Sequence, residues 1–392
     1  MLNNTRRIAS LIFPGQGSLR SGLNSDLHSD FLISRLVFEL IDEAVGARVS
    51  KALLNATDAE LMRTELTQPA LLAHSIASLA ALRGEVYGHD LAEKMTLQSF
   101  DSSTMIREEI GDSIVSCVMG HSVGEYAALV AGRSLSIDSA AKILKLRSRS
   151  MQKAADVYSA KKTSDKLGMI ALLLSPSISS PLEDTAKHLI ECCIRAEKKG
   201  GRVNIAGLNS PQQIVLSGEL ATIERAVSFF NETSKAIKRM VPLSVSAPFH
   251  SSIMSSAAED IRKAASNSAL VDGSFIDDNV FRQASESFRL LSKPSCNFIS
   301  NFSAQSVESI EDIKSSLFES VTKPVRWAES INTATNKLGV NHFIAFGSAT
   351  SLVGLVKQSV KLSSESIWTI GTTSEVKEYV SFINRQSETK LV

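Results

Sequence analysis

The chain has 392 residues, of which 43% are hydrophobic and 21% charged, an ordinary globular composition with length for one large core or two domains. Its net charge of +1 gives no sign of a nucleic-acid or membrane-surface partner. No apolar run approaches the roughly 20 residues that a membrane-spanning helix needs. The four cysteines include the adjacent pair Cys192 and Cys193, which suits neither a zinc site nor a disulfide framework. We therefore expect a reduced intracellular protein.

The N-terminal segment MLNNTRRIAS carries Arg6 and Arg7, and no acidic residue precedes Asp26. Transit peptides have this composition, but strand-like residues begin by Ile8. We therefore expect any targeting sequence to be very short or already absent. An ordinary frayed terminus is the alternative.

The first half of the chain predicts strands alternating with helices. IASLIFPGQG predicts a buried strand that ends in a Pro/Gly turn, and helical patterns follow over residues 31–86. Residues 88–112 lack clean periodicity, which predicts a surface insertion. SIVSCVMG predicts a second buried strand and SVGEYAALVAG a helix that ends at Gly132. A long helix is predicted over residues 138–157, with Asp138 near its start.

The pattern changes in the next segment of the chain. KLGMIALLLS predicts a strand, residues 179–199 a helix, RVNIAGLN and QQIVLSGE two strands, residues 219–234 a helix, and AIKRMVPLSV a strand. This β-α-β-β-α-β order is that of the ferredoxin-like split unit, so we expect a small domain inserted into a larger α/β domain. Residues 265–292 are polar and rich in serine, which predicts a surface loop. CNFISN and VNHFIAFG predict further strands of the large domain.

The clearest chemical motif is GHSVG at residues 120–124, which fits the G-x-S-x-G nucleophile elbow between a strand and a helix. A serine on so sharp a turn has a strained backbone, and the glycines keep side chains away from it. The Ser122 hydroxyl then stands at a helix N-terminus, and the amide of Val123 can donate to an oxyanion. The alternative is a glycine-flanked turn with a capping serine. We expect His121 to orient the turn and Glu125 to be structural.

An arginine interrupts the apolar face of the predicted helix at residues 138–157. On a helical wheel Arg147 lies in the middle of that face, whereas the other cations of the helix lie opposite. A buried arginine needs a partner, and its guanidinium offers paired donors that match a carboxylate. Arg147 is therefore a candidate to bind a substrate carboxylate. The alternatives are an internal pair with Asp or Glu, or a side chain that reaches solvent.

Two loops offer groups that could complete a site around Ser122. His250 follows a strand in SAPFHSSIM, and a neutral imidazole is the base that a serine nucleophile requires. The chain has seven histidines, so a structural role for His250 is the alternative. The PGQG turn at residues 14–17 can present the amide of Gln16 to an oxyanion, or it is an ordinary strand-to-helix turn. It lacks the G-x-G-x-x-G spacing, so it predicts no dinucleotide site.

Taken together, these segments resemble the malonyl-CoA:acyl-carrier-protein transacylase family. The matching stretches occur in the family's order and cover most of the chain; they are FPGQG, TQPALL, GHSVGEYAALVAG, LRSRSMQKA, LNSPQQIVLSG, the FHS around His250, and KPVRW. The resemblance implies an α/β fold with an α/β-hydrolase-like large domain, residues 1–160 and 245–392. A ferredoxin-like small domain, residues 161–244, is inserted into it.

The resemblance also implies a role for seven residues. It identifies a nucleophile and its base, two oxyanion-hole amides, an arginine that binds the malonyl carboxylate, and two further substrate-binding residues. In that order these are Ser122 and His250, Gln16 and Val123, Arg147, and Phe249 and Asn209. Phe249, which precedes the histidine, resembles the malonyl-selective branch of related polyketide acyltransferases.

The chain departs from the family at two motifs. Ser320 stands where a glutamine is common, four residues before the proline of KPVRW. In relatives the backbone carbonyl at this position orients the histidine, so a serine can still serve. The GPG of relatives near the C-terminus is Gly347-Ser348-Ala349 here.

The activity implied by the resemblance is ping-pong transfer of a malonyl group from malonyl-CoA, through an ester on Ser122, to the phosphopantetheine thiol of an acyl carrier protein in fatty acid synthesis. We expect no metal and no cofactor of the enzyme's own, coenzyme A and the carrier protein as partners, no nucleic acid, no membrane insertion, and a monomer. The alternatives are a serine thioesterase or other hydrolase, and a non-catalytic scaffold. The acid-free start and the insertions favour a mitochondrial location, with the bacterial cytoplasm as the alternative.

Overall fold

The computed structural model describes residues 7–19, 25–55, 57, 60, 63–87, 109–110, 113–161, 166–176, 181–269 and 276–389. The segment on which the targeting expectation depends, up to Arg6, lies outside these residues, as does most of the insertion predicted at 88–112. No helix in the described ranges is long and apolar enough to cross a membrane.

The strands and helices alternate along much of the chain. The strands are β1 (Arg7–Phe13), β2 (Glu109–Ile110), β3 (Ser113–Gly120), β4 (Leu167–Leu174), β5 (Val203–Ser210), β6 (Gln213–Glu219), β7 (Ile237–Pro242), β8 (Asn297–Ile299), β9 (Ser306–Val307), β10 (His342–Phe346) and β11 (Ile367–Ile370). The helices are α1 (Ser25–Asp30), α2 (Leu32–Val45), α3 (Val49–Asn55), α4 (Thr64–Tyr87), α5 (Gly124–Ala131), α6 (Ile137–Lys161), α7 (Leu182–Glu197), α8 (Leu220–Thr233), α9 (Ser255–Ala265), α10 (Asp278–Arg289), α11 (Ile310–Glu319), α12 (Trp327–Asn332), α13 (Thr350–Ser359) and α14 (Thr373–Thr389).

The larger sheet is mainly parallel and has the order β11-β10-β1-β3-β8-β9, with β2 beside β3. Strands β11, β10, β1, β3 and β8 are parallel, and β2 and β9 add to it in antiparallel pairs. The interior strands are apolar along nearly their whole length because helices cover both faces of such a sheet. Phe13 pairs with Gly120, so β1 and β3 end at the same level. The PGQG and GHSVG turns therefore begin side by side.

The smaller sheet is antiparallel and has the order β5-β6-β4-β7. Its elements follow the chain as β4, α7, β5, β6, α8 and β7, which is the β-α-β-β-α-β order predicted from the sequence. Helices α7 and α8 pack against each other, and their apolar faces form a separate core with this sheet. The chain therefore has a mixed α/β fold with one parallel and one antiparallel sheet.

Two backbone hydrogen bonds join the smaller sheet to the C-terminal half of the chain. The N–H of Leu208 in β5 donates to the carbonyl of Val325 at 2.9 Å, and the N–H of Val325 donates to Ala206 at 2.9 Å. Val325 lies within the KPVRW segment. This contact brings β5 close to the loop that follows α11.

The surface loop predicted for residues 265–292 is wrong over much of that range, because α10 lies within it. The Asp277 carboxylate caps this helix by accepting from the first backbone N–H groups. Polar residues obscured its apolar spacing in the sequence, and two of them, Ser285 and Ser287, are on the buried side. The buried residues of that spacing are Val280, Phe281, Ala284 and Phe288.

Candidate active site

The turn between β3 and α5 holds Ser122 in a left-handed backbone conformation, with φ of 54°. Strand and helix meet so closely that two positions require glycine. A Cβ on Gly120 would lie 2.0 Å from the carbonyl carbon of Gly124, and a Cβ on Gly124 would lie 2.3 Å from the carbonyl oxygen of Phe13. These contacts are the close approach that the G-x-S-x-G motif permits, and they expose the serine at the start of α5.

His250 is hydrogen-bonded to Ser122, with 2.7 Å between Nε2 and Oγ. Its other ring nitrogen, Nδ1, lies 2.6 Å from the carbonyl oxygen of Ser320 and 3.1 Å from that of Lys323. Since carbonyl oxygens only accept, Nδ1 carries the hydrogen and Nε2 is left as the acceptor for the serine hydroxyl. Two main-chain carbonyls thus take the place that a carboxylate has in a Ser-His-Asp triad.

The imidazole of His250 is a neutral base over the whole physiological range of pH. It is only 4% exposed, and its pKa is lowered to about 3, mainly by burial and also by the positive charge of Arg147 and by His121. The hydrogen bonds to Ser320 and Lys323 oppose this change. The ring can therefore accept the serine proton at neutral pH without first losing one of its own.

Arg147 projects from α6 into the same site and is 1% exposed. Its Nη1 donates to Oε1 of Gln68 at 2.7 Å, and its Nη2 lies 3.5 Å from Oγ of Ser122. Among the described residues no carboxylate forms an ion pair with it, and its Nε donates to no group. Burial lowers the pKa of Arg147, and the largest opposing influence is Tyr126. The side chain is thus a buried cation beside the nucleophile that neither pairs internally nor reaches solvent.

The amides of Gln16 and Val123 are both available as donors. Neither N–H donates a hydrogen bond within the part of the chain that the structure describes. The two turns are in contact, since the N–H of His121 donates to the carbonyl of Phe13 at 2.9 Å. A Cβ on Gly15 would lie 2.8 Å from the carbonyl oxygen of His121. This pair of unsatisfied donors is the arrangement that an oxyanion hole requires.

Gln68 is a site residue that the sequence reasoning did not single out. It lies in α4 and is fully buried, and it accepts from Arg147 while its own Nε2 donates to Oε1 of Gln16 at 3.2 Å. It therefore links the buried guanidinium to the first of the two turns. An uncharged polar residue at the start of a long apolar helix was the signal that could have identified it.

Asn209 and Phe249 line a cavity of about 70 Å³ next to Ser122 and His250. Oδ1 of Asn209 accepts from Nε2 of His121 at 2.9 Å, so Asn209 holds the ring beside the nucleophile. A second cavity of about 340 Å³ shares Gln16, His121, Asn209, Leu243 and Val245 with the first. The nucleophile therefore lies at the inner end of a cleft between the two sheets.

The structure thus brings Ser122, His250 and Arg147 into contact, with Gln16, Asn209 and Phe249 on the cavity wall. Val123 follows the nucleophile directly. The described ranges contain no group of three or more His, Cys, Asp or Glu residues that could hold a metal ion.

Proteins of known identity resemble the chain over nearly its whole length. The malonyl CoA-acyl carrier protein transacylase of Bacillus subtilis (strain 168) is 30% identical over 89% of this chain and 89% of its own length. Among solved structures, the acyl-carrier-protein-S-malonyltransferase of Bartonella henselae is 29% identical, has a TM-score of 0.71, and is matched over 96% of this chain and 99% of its own.

The same fold occurs in a solved complex of a type II PKS acyl-carrier protein with its malonyl-transacylase. The matched chain is 24% identical, has a TM-score of 0.72, and is matched over 95% of this chain and 99% of its own. No family model matches the sequence. The chain belongs to the malonyl CoA-acyl carrier protein transacylase family.

Proposed function

We propose that the chain transfers a malonyl group from malonyl-CoA to the phosphopantetheine thiol of an acyl carrier protein, and that Ser122 carries the group as an ester. One observation supports this most directly. The Ser122 hydroxyl lies 2.7 Å from a neutral histidine nitrogen and 3.5 Å from a buried guanidinium that forms no ion pair with a carboxylate of the described residues. A nucleophile, its base and a receptor for a short acyl chain that ends in a carboxylate are thus in one place.

The first half-reaction forms the ester. Nε2 of His250 accepts the proton of Ser122 as Oγ attacks the thioester carbonyl of malonyl-CoA. The amides of Gln16 and Val123 stabilise the oxyanion of the tetrahedral intermediate. The carbon–sulfur bond then breaks, and the leaving sulfur of coenzyme A takes the proton from His250.

The second half-reaction reverses these steps with another thiol. The phosphopantetheine thiol gives its proton to His250 and attacks the carbonyl of the malonyl ester. The bond to Oγ then breaks, and Ser122 recovers its proton from His250. Each half-reaction exchanges one ester for another and needs no redox partner, so we propose that the enzyme has no metal or cofactor of its own.

Arg147 favours a malonyl group over other acyl groups. A terminal carboxylate can pair with the guanidinium in the bidentate manner that suits both groups. Phe249 and Asn209 on the cavity wall are proposed to contact the acyl chain and its thioester. The serine thioesterase or hydrolase alternative gives Arg147 no task, and the family to which the chain belongs does not favour it.

We further propose that the fold consists of an α/β-hydrolase-like large domain, residues 1–160 and 245–392, with a ferredoxin-like small domain at residues 161–244. The elbow between β3 and α5 supports the first description. The β-α-β-β-α-β order of the antiparallel sheet supports the second.

The carrier protein is the proposed partner, supported by the related complex of a type II PKS acyl-carrier protein with its malonyl-transacylase. A monomeric enzyme without membrane insertion stays a prediction. The relatives named above whose organism is known are bacterial, so they give no support to a mitochondrial location and favour the alternative of a bacterial cytoplasm. Imaging of a C-terminally tagged chain in its own cell would decide between the two.

The test is the mass of the intact protein after brief exposure to malonyl-CoA, followed by peptide mapping. We expect the mass of one malonyl ester, located on Ser122, and loss of that ester when carrier protein is added. Ser122→Ala should show neither the adduct nor malonyl transfer, because Ser122 provides the hydroxyl in the elbow. Release of free malonate instead of transfer would indicate the hydrolase, and a Ser122→Ala protein that still gains the mass would refute the nucleophile.

A further inference from the structure

Asn301, just beyond β8, holds the nucleophile turn from both sides. It is fully buried, and its Oδ1 accepts from the backbone N–H of Ser122 at 2.6 Å. Its Nδ2 donates to the carbonyl of Gly120, the last residue of β3. The orientation of the amide follows from its partners, since an N–H can only donate and a carbonyl can only accept. One side chain therefore joins the two ends of the turn that carries the nucleophile.

The main chain of Asn301 is fixed as well. Its N–H donates to Oε1 of Glu125 at 2.8 Å, and its carbonyl accepts from the N–H of Arg326 at 3.1 Å. Glu125 is fully buried in the first turn of α5, the helix that begins directly after the elbow. Burial raises the pKa of this carboxyl to about 8, and the N–H of Asn301 and the charge of Arg147 oppose the change. The same helix thus supports both Asn301 and the turn that Asn301 holds.

These contacts have two consequences for the site. Ser122 has φ of 54°, a conformation that a residue other than glycine rarely keeps without support, and the bond to its N–H restrains that angle. The same bond uses the Ser122 N–H, whereas the N–H of Val123 donates to nothing in the described part of the chain. The oxyanion therefore meets the amide of Val123 and not that of the nucleophile itself.

We propose that Asn301 is a positioning residue for malonyl transfer: it fixes the elbow so that Ser122 Oγ faces His250 and the Val123 amide faces the oxyanion, and Glu125 holds it there. This inference rests on the proposed function of Ser122. It assigns Asn301 no contact with substrate. Its loss should therefore change the rate of ester formation much more than the binding of malonyl-CoA.

The experiment compares Asn301→Ala with a matched control, Asn297→Ala. Asn297 is the first residue of β8, and its side chain also bridges two groups. Its Nδ2 donates to the carbonyl of Ser116 and its Oδ1 accepts from the hydroxyl of Ser306, both at 2.9 Å. The measurements are the rate of malonyl-Ser122 formation in a single turnover, KM for malonyl-CoA, and the midpoint of urea unfolding.

We expect Asn301→Ala to form the ester about 10²-fold more slowly, which is the typical cost of a small misplacement of reacting groups, with little change in KM. Asn297→Ala should unfold at lower urea and form the ester at the wild-type rate. Equal rates of ester formation in Asn301→Ala and wild type would overturn the proposal. It would also be overturned if, in both variants, the rate of ester formation fell in proportion to the loss of stability against urea. Failure of the wild type to form the ester would instead refute the proposed function on which it rests.

A second pair of variants tests the support given by Glu125, and it decides the matter if Asn301→Ala does not fold. Glu125→Gln keeps an oxygen acceptor for the N–H of Asn301 and replaces the other carboxyl oxygen with an uncharged NH2 group, so ester formation should stay within about threefold of wild type. Glu125→Ala removes the acceptor, and we expect most of the loss seen for Asn301→Ala. Equal activity of the Gln and Ala variants would contradict the role of Glu125.

Discussion

At the scale of single residues, Arg147 combines two properties that seldom occur together. It is 1% exposed, and it forms no ion pair with a carboxylate of the described chain. A buried charge without a partner costs several kcal/mol, because the desolvation is not balanced by an opposite charge. A substrate that brings its own carboxylate removes this imbalance. The wheel argument from the sequence and the hydrogen bonds of the structure thus lead to the same expectation.

We predict that Arg147→Ala lowers kcat/KM for malonyl transfer. The loss should correspond to about 2–5 kcal/mol of transition-state stabilisation, the usual cost of removing one partner of a buried charge pair. Acetyl transfer should fall little or rise, because an acetyl group leaves the wild-type cation unpaired. The measurement is the ratio of malonyl to acetyl kcat/KM in both proteins. Arg149→Ala, on the opposite face of α6, is the control and should leave the ratio unchanged. An equal loss for both substrates would make Arg147 a structural residue.

The pKa of His250 leads to a prediction about pH. Because burial and the charge of Arg147 lower that pKa to about 3, Nε2 stays unprotonated down to strongly acidic pH. The reaction of Ser122 with a neutral sulfonyl fluoride should therefore show no decrease between about pH 7 and pH 5, where an ordinary histidine titrates near 6.5. In Arg147→Ala the acidic decrease should move to higher pH. A half-maximal rate near pH 6.5 in the wild type would contradict this.

The same change in pKa affects stability with a definite sign. Between pH 6.5 and about 3 the histidine of the unfolded chain binds a proton that His250 in the folded chain does not. The unfolded state therefore gains protons as the pH falls, and the free energy of unfolding decreases. Above pH 6.5 the histidine is neutral in both states, so His250 no longer lowers the free energy of unfolding.

At the scale of elements, the site depends on how closely α5 approaches β1 and β3. A Cβ on Gly124 would lie 2.3 Å from the carbonyl oxygen of Phe13 and 2.8 Å from that of Pro14. Both neighbours are main-chain atoms of the strand and turn, so they cannot rotate aside as a flexible side chain would. The helix would have to move away from the sheet, and Ser122 would move with it.

We predict that Gly124→Ala destabilises the protein by about 1–3 kcal/mol, the usual range for an overpacked interior, and also slows ester formation. Gly354→Ala is the matched control, because Gly354 is also helical and an added Cβ would meet nothing within 4 Å. That variant should be as stable as wild type or more stable by up to about 1 kcal/mol. Urea unfolding measures both, and equal stability of the two variants would contradict the close-approach argument.

Most strands of both sheets could be predicted from the sequence because their apolar runs end in clear turn signals, whereas the short strands β2, β9 and β11 were not predicted. The β-α-β-β-α-β segment is the best example, since each of its six elements is present in the predicted order. Helix α10 was missed for a physical reason: two of its buried residues, Ser285 and Ser287, are polar and interrupt the apolar spacing. Periodicity is hard to recognise when serine residues occupy part of the buried face of a helix.

At the scale of the whole molecule, the site is assembled from segments that are far apart in the chain. Ser122 and Arg147 could be selected from the sequence because one belongs to a motif and the other interrupts an apolar face, whereas His250 was identified through the family resemblance. The structure places the three in contact. Gln68 has only the weak signal of a polar residue near the start of an apolar helix, and Asn301 breaks no pattern. Asn301 ends the apolar segment CNFISN, 179 residues after Ser122, and only the pairing of β3 with β8 brings the two together.

The groups that orient His250 are main-chain oxygens of Ser320 and Lys323, in the segment between α11 and α12. Every amino acid carries the same carbonyl, so replacements at these two positions can keep the histidine oriented as long as the backbone keeps its path. A structural search for a triad of nucleophilic, basic and acidic side chains would therefore overlook this enzyme, because no acidic side chain orients its histidine. An insertion or deletion between α11 and α12 would harm it more than any exchange of side chains there.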